Sequence, residues 1–273
     1  MIDFKVDQQK CTSCGACVSD CPAMIIEMDG RLPVVREENE PKCYKCQHCM
    51  TVCPTAAVSI LGFAPENSVP DALKASYEQF DALARNRRTV RKFKKGNVAK
   101  DKVDKIIKAA ANAPTGKNAR QVMLTLLDDE KQMDAFKELL ISKIEKADAE
   151  GKLTGPLAAF ATRAKLFRAG KDFIFRNAPH MILATCPKSA PTPAADPFIA
   201  LSYAELAAYT LNVGVIWGGF VMYLFDLFPE TAQELGVPED HMVAYVLLFG
   251  ESGVKYFRGA QRDEIALNRP VLS

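Results

Sequence analysis

Net charge is almost absent from this sequence. The formal value is +2 over 273 residues, so the whole molecule offers no electrostatic case for nucleic acid or an anionic membrane surface. An apolar leader is missing as well. Met1-Ile2-Asp3-Phe4-Lys5 lacks the hydrophobic stretch of a secretory signal, which argues against export and points to a reducing, cytoplasmic setting. No G-x-G-x-x-G follows a strand-like run, so a Rossmann site for a dinucleotide is not expected. Gly116-Lys117 is the pair a P-loop would carry, but Ala111 and Asn118 stand where that loop needs glycine and a hydroxyl. Low-complexity tracts are lacking, and strands do not alternate strictly with helices, which favours an α+β class.

Charge is also missing locally. The twenty residues Leu206 to Phe225 carry none, which is the length of a spanning helix. Asn212, Gly214, Gly218 and Gly219 interrupt the run, and Glu205 and Asp226 flank it without a basic anchor. It reads as two buried helices with a break at Asn212-Val213-Gly214, the glycine taking the left-handed position, and not as a membrane span.

What is present is uneven. Eight of the nine cysteines lie between Cys11 and Cys53; the ninth, Cys186, falls in a strand-like run and reads as a small buried apolar residue. Residues 1–62 form one short, loop-rich domain with six basic and eight acidic side chains. Residues 63–70, with Pro65, Asn67, Ser68 and Pro70, read as a linker, and 71–273 as a second domain. In that domain Leu73, Tyr77, Phe80 and Leu83 predict a helix over about 70–86, capped by Ser68 with Pro70 in its first turn. Val103, Ile106, Ile107 and Ala110 predict another over 100–112, ending at Pro114. Further helices are expected over 129–147 and 156–169, strands over 121–127, 181–186 and 242–249, and a loop over 187–197.

The cysteines fall into two identical runs, Cys11-x-x-Cys14-x-x-Cys17-x-x-x-Cys21-Pro22 and Cys43-x-x-Cys46-x-x-Cys49-x-x-x-Cys53-Pro54. This is the spacing of bacterial ferredoxins, written twice. Three cysteines on a tight turn face one cubane, and the fourth belongs to its neighbour. The assignment is therefore Cys11, Cys14, Cys17 and Cys53 on one [4Fe–4S] cluster, and Cys43, Cys46, Cys49 and Cys21 on the other. Structural zinc explains neither the third cysteine of each run nor the proline that follows. His48 reads as an outer group rather than a ligand. Over about residues 1–62 the chain resembles the two-cluster ferredoxins, with an inserted turn in the charged stretch Arg36 to Glu40.

A two-cluster module passes single electrons and makes no bonds, so the remaining residues must supply or receive them. Their densest cation cluster is Arg85, Arg87, Arg88, Arg91, Lys92, Lys94 and Lys95. No aromatic residues interleave it as in a nucleic-acid surface; with Thr89 it suits a compact phosphate site.

Here the sequence resembles the FMN-dependent nitroreductase family. Arg87-Arg88-Thr89-Val90-Arg91-Lys92-Phe93 looks like that family's opening phosphate-gripping motif. Ala113-Pro114-Thr115-Gly116-Lys117-Asn118 is similar to its turn beside the flavin ring, with Arg120 where many relatives carry Gln and Val122 where many carry Trp. Ile216-Trp217-Gly218-Gly219-Phe220 lies where the family offers backbone amides to the flavin N5 edge. Tyr256-Phe257-Arg258 and Arg262 resemble its C-terminal basic motif. The resemblance implies an α/β sandwich with FMN held by Arg87, Arg88, Thr89, Arg91, Pro114, Thr115, Asn118, Arg120, Trp217, Gly218, Gly219, Arg258 and Arg262. It also implies a homodimer with two FMN. The expected activity passes electrons from a redox protein or NAD(P)H, through the clusters and FMN, to an electron-poor acceptor such as a nitroaromatic or quinone. No side chain is singled out as acid or base. The alternatives are a non-catalytic relay or redox sensor, and a specialised branch such as reductive dehalogenation. Tyr203, Tyr209 and the 187–197 loop would border the substrate space.

Overall fold

Strands whose two faces are both apolar need cover on both sides, and four of them build the sheet of the larger unit. The computed structural model describes residues 2–272 and divides into two units. The smaller comprises the chain up to Ala75 together with Thr115–Arg120; the larger comprises Ser76–Pro114 and the chain from Gln121 onward.

In the smaller unit β1 (Lys5–Val6) pairs antiparallel with β4 (Val58–Ser59), and β2 (Ile26–Asp29) forms a hairpin with β3 (Leu32–Val35). Helices α1 (Ala16–Ser19) and α2 (His48–Thr51) are single turns. Each follows a left-handed residue, Gly15 (φ 72°) or Gln47 (φ 62°). Ser13, Gly15 and Met24 are left-handed, and so are Lys45, Gln47 and Ala56, each thirty-two positions later. The cysteine repeat is thus a backbone repeat. The hairpin and a 3-10 helix over Glu37–Lys42 fill the interval between the runs. Ile2, Ile25, Ile26, Met50, Val58 and Ile60 pack with Cys17 and Cys49 as its core.

In the larger unit β5 (Met123–Leu127), β6 (His180–Pro187), β7 (Val213–Trp217) and β8 (His241–Glu251) form an antiparallel sheet in the order β5-β6-β8-β7. Side chains alternate across it. Met181, Leu183, Val246 and Leu248 join the apolar cluster of α5 (Glu130–Ala149), α6 (Ala158–Arg168) and α8 (Gly219–Leu227). Ile182, Ala184, Leu247 and Phe249 join that of α4 (Lys100–Ala110) and α7 (Asp196–Thr210). The short α9 (Glu230–Glu234) completes the first layer.

Three expectations need correction. The helix expected over 70–86 is a 3-10 turn at Asp71–Leu73 followed by α3 (Tyr77–Asn86). Ser76, not Ser68, caps it: Ser76 Oγ accepts from Gln79 N at 3.2 Å and Gln79 Oε1 from Ser76 N at 2.9 Å, a reciprocal box that outcompetes an earlier start. The break inside 206–225 is a whole strand, β7, inserted between α7 and α8. The left-handed residue is Asn212 (φ 58°) rather than a glycine. The loop over 187–197 also ends early, because α7 begins at Asp196 with Pro197 in its first turn. Among the described residues no helix is long and apolar enough to cross a membrane.

Candidate functional site

The smaller unit encloses two cavities. Cys11, Cys14, Cys17 and Cys53 line one, beside Pro33, Thr55 and Val58. Cys21, Cys43, Cys46 and Cys49 line the other, beside Ile25, Val35 and Ile60. Each cavity takes three thiols from one run and one from the other. Four soft donors in an apolar pocket are the ligand set an iron–sulfur cubane needs, so the residues present fit the group.

Without metal the thiols differ in acidity. Burial pushes the Cys49 thiol up to about 12 and raises that of Cys17. Cys53 also loses hydration, but the N–H groups of Ala57 and Thr55 outweigh the loss and lower its pKa; Ala57 N lies 3.2 Å from Cys53 Sγ. Loading metal into this unit therefore releases protons. His48 lines the second cavity and pairs through Nδ1 with Asp20 Oδ2 at 3.0 Å.

The larger unit gathers the scattered basic residues at the edge of its sheet. Val90 N donates to Val215 O at 2.9 Å, and Thr89 bridges to Val215, so the Arg87–Phe93 segment runs alongside β7. The approach is close: a Cβ on Gly214 would lie 2.8 Å from Val90 Cγ1, which any residue but glycine would contest. The chain after β8 returns to the same place. Gly253 N donates to Lys92 O at 2.8 Å, Tyr256 Oη to Thr89 O at 3.3 Å, and Ala260 N to Arg85 O at 3.3 Å.

These contacts bring Arg87, Arg88 and Arg258 to one cavity of about 360 Å³, together with Lys94, Lys255 and Tyr209. Glu205, nearly buried on α7, meets Arg87 Nη1 at 2.9 Å and holds that guanidinium at the wall. A cavity of this size with several cations suits a phosphorylated ligand.

A second cavity, of about 280 Å³, is lined by Arg91, Arg176, Ile174, Trp217, Gly218, Gly219, Phe220 and Tyr223. Trp217 is fixed between aromatic neighbours, its ring stacked on Phe198 at 6.2 Å and tilted against Tyr245 at 5.3 Å. Gly218 gives its N–H to Val246 O at 2.9 Å, so its amide is already engaged. Gly219 and Phe220 line the cavity in the first turn of α8, where helix N–H groups lack partners along the helix. Across the cavity, the buried Asp172 carboxylate accepts from Ile174 N, Phe175 N and Asn177 N at 2.7–3.0 Å. It thereby holds Arg176 in a left-handed conformation (φ 59°) at the rim.

Other expected residues lie elsewhere. Pro114 ends the α4 segment of the larger unit, whereas Thr115, Asn118 and Arg120 cluster with the smaller one. Asn118 Nδ2 donates to Tyr44 O at 3.0 Å and to Lys45 O at 3.1 Å. Arg262 is exposed and lines neither cavity. Lys94, part of the cation cluster read from the sequence, lines the basic cavity, whereas sequence reasoning missed Glu205, Lys255, Ile174, Arg176 and Tyr223. None stands in a recognisable spacing, and only Asp172, a carboxylate just before a strand-like run, hints at the turn that carries Arg176.

Comparison with known proteins follows the same division. Residues 84–251 match the model of the nitroreductase family, and residues 10–58 match that of the 4Fe-4S dicluster domain. An iodotyrosine deiodinase of Thermotoga neapolitana is 30% identical over 168 residues, covering 62% of this chain and 86% of the relative. A nitroreductase with bound FMN from Bacteroides fragilis superposes with a TM-score of 0.56 at 18% identity, over 71% of this chain and 100% of its own. An iodotyrosine deiodinase bound to FMN and 3-iodo-L-tyrosine superposes at 0.50 and 23%, over 71% of this chain and 99% of its own. At those identities the superpositions speak for the fold. FMN is thus the cofactor held by these neighbours of the larger unit, and the dicluster domain implies two [4Fe–4S] clusters. Through its match over residues 84–251 the chain belongs to the nitroreductase family, carried here behind a 4Fe–4S dicluster domain.

Proposed function

We propose that this chain is a flavin-dependent oxidoreductase in which two [4Fe–4S] clusters deliver single electrons to FMN for reduction of an electron-poor acceptor. The single observation that carries this reading is the pairing of thiol-lined cavities with a phosphate-suited basic cavity in one chain. When bound, FMN supplies the conversion between one-electron delivery and two-electron reduction. Cys11, Cys14, Cys17 and Cys53 ligate one cluster, and Cys21, Cys43, Cys46 and Cys49 the other. Arg88 and Arg258 grip the phosphate, with Arg87 steadied by Glu205 and Thr89 beside them. Trp217, Gly218 and Gly219 border the ring, Gly219 offering its N–H, and Arg91 completes the wall. A contact between Pro114, Thr115, Asn118 or Arg120 and the ring rests on family resemblance alone, as does one from Arg262.

Nitroaromatics and quinones fit such a site as acceptors, because the cavity beside Trp217, Gly218 and Gly219 is lined mainly by apolar and aromatic side chains and by cations, with no carboxylate, histidine or cysteine among the described residues that line it. The donor is a small redox protein or NAD(P)H, in a cytoplasmic setting that keeps the thiols reduced. A homodimer is supported by large apolar side chains left exposed on the larger unit. Tyr77 and Phe80 on α3 are 72% and 55% exposed, and Phe257, Ile265 and Leu272 near the C-terminus are 78%, 88% and 89% exposed.

A second reading is favoured by the iodotyrosine deiodinase relative: reductive dehalogenation, in which two electrons and a proton replace a carbon–halogen bond and release halide. The test is anaerobic reconstitution with iron and flavin counts, then turnover under a reducing donor. Steady consumption of a nitroarene or quinone supports the first reading, and halide release from a halotyrosine the second. Reduction of the cofactors without turnover of any acceptor would leave a relay and overturn both.

A further inference from the structure

The peptide unit joining Tyr44 to Lys45 is engaged at both ends. Its N–H, on Lys45, reaches Cys43 Sγ at 3.3 Å. Its carbonyl, on Tyr44, accepts from Asn118 Nδ2 at 3.0 Å, and the same nitrogen donates to the next carbonyl, Lys45 O, at 3.1 Å. All of these groups belong to the smaller unit. The backbone on both sides is strained into place. Lys45, Lys117 and Asn118 are left-handed at φ 54°, 52° and 51°, a conformation that persists only where surrounding contacts enforce it. Asn118 N donates to Thr115 O at 2.9 Å, and Thr115 Oγ1 accepts from Arg120 N at 3.0 Å, so the segment presenting the amide is itself pinned.

Hydrogen bonds in a chain polarise one another. A donor at the Tyr44 carbonyl makes the Lys45 N–H a better donor to sulfur. Hydrogen bonds to cluster sulfurs favour the reduced, more negative state and so raise the reduction potential. The first run is arranged differently at the matching position: Ser13 Oγ donates to Arg31 O at 2.6 Å, and a backbone N–H from Ala57 serves Cys53.

We propose that Asn118 is a positioning residue that raises the potential of the centre held by Cys21, Cys43, Cys46 and Cys49, by polarising the Tyr44–Lys45 peptide toward Cys43. This rests on the ligand assignment above. The step concerned adds one electron to the centre; no bond forms or breaks, and no proton moves.

The test is an anaerobic redox titration of the reconstituted full-length chain, followed by electron paramagnetic resonance, for the wild type, Asn118→Ala and Asn118→Gln. In Asn118→Ala one centre becomes harder to reduce by about three- to tenfold in its equilibrium constant, tenfold being about 59 mV for one electron. The other centre stays where it was. Asn118→Gln, which keeps an amide donor, recovers part of the shift. If Asn118→Ala fails to retain iron for two clusters, Asn118→Leu, of similar shape with neither donor nor charge, carries the same comparison. Two unmoved centres, or two that shift together, in an iron-replete variant overturn the role of Asn118 alone. A wild-type chain that never takes up iron overturns the ligand assignment beneath it.

Discussion

In the smaller unit the apolar core is a handful of side chains gathered around sulfur, Ile2, Ile25, Ile26 and Met50 among them, with one-turn helices and strands of two to four residues. In the larger unit a sheet is buried on both faces, with Phe175, Leu140, Leu183 and Val246 wholly inaccessible. A domain of the first size has too little apolar surface to hold itself together and needs a staple; one of the second size does not. The two clusters that the dicluster domain implies would thus also be what staples the smaller unit together. In the larger unit the site sits at the edge of a core that stands without it.

Iron removal should break that contrast most severely. Structural metal sites supply on the order of 10 kcal/mol to small domains. Anaerobic chelation should abolish hydrogen-exchange protection at Lys5 and Ser59, which pair across β1 and β4, while β6 and β8 stay protected. Persistent protection in β1 and β4 of iron-free protein would show that the smaller core stands alone.

The converse lesion is Phe175→Ala. Its ring, wholly buried, lies 6.2 Å from that of Phe136 and 6.3 Å from that of Phe167. Truncation should cost roughly 3–5 kcal/mol, read as a lower denaturant midpoint for the fluorescence of Trp217, the only tryptophan, while iron content is unchanged. Equal loss of iron would mean that the two units do not fold independently.

Arg88→Ala should separate site from core within the larger unit. Losing a charge-assisted hydrogen bond to phosphate costs about 1.5–3 kcal/mol, or roughly ten- to a hundredfold in FMN affinity. A flavin fluorescence titration reads this, and an unchanged unfolding midpoint confirms that the core is spared. Undiminished FMN affinity would move the phosphate away from this cavity.

The smallest effect concerns pH. His180 is wholly buried, with Nε2 accepting from Val98 N at 2.9 Å. Burial lowers its pKa below 6.5; the nearby carboxylates of Asp128, Glu130 and Asp129 oppose that shift and Lys137 adds to it. The unfolded chain therefore binds this proton at a higher pH than the folded one. Stability is fully present above about pH 6.5 and falls as the pH drops toward the folded pKa. The slope reaches at most about 1.4 kcal/mol per pH unit. Urea titrations at descending pH should show the loss in the Trp217 transition, and His180→Gln should flatten it. A variant with the same pH dependence would exonerate His180.

Legibility followed the same divide. Cysteine spacing is itself ligand geometry, because a cubane dictates how far apart its thiols stand along a turn; the two sets of four could be written down before any coordinates. The larger unit's strands and helices were visible as runs and periodicities, except where periodicity carries no information. Leu206 to Phe225 is apolar throughout, so the sequence could not distinguish a helix break from the strand Val213–Trp217 that fills it. The Arg87–Phe93 and Tyr256–Arg258 segments could be singled out by their resemblance to family motifs, and both reach the basic cavity. What joins them, the glycine at 214 that lets Val90 lie against β7, is a contact between distant positions. Glu205, Ile174 and Arg176 belong to the same class, since burial and a carboxylate-held turn leave no local signature.

The crossed lining of the thiol cavities also has a consequence in time. A ribosome releases Cys11, Cys14 and Cys17 long before Cys53, and Cys21 before its companions at Cys43, Cys46 and Cys49. Neither cage can close until the second run has emerged. A nascent chain halted between the runs would hold three thiols of one set and one of the other, each short of partners still to be made.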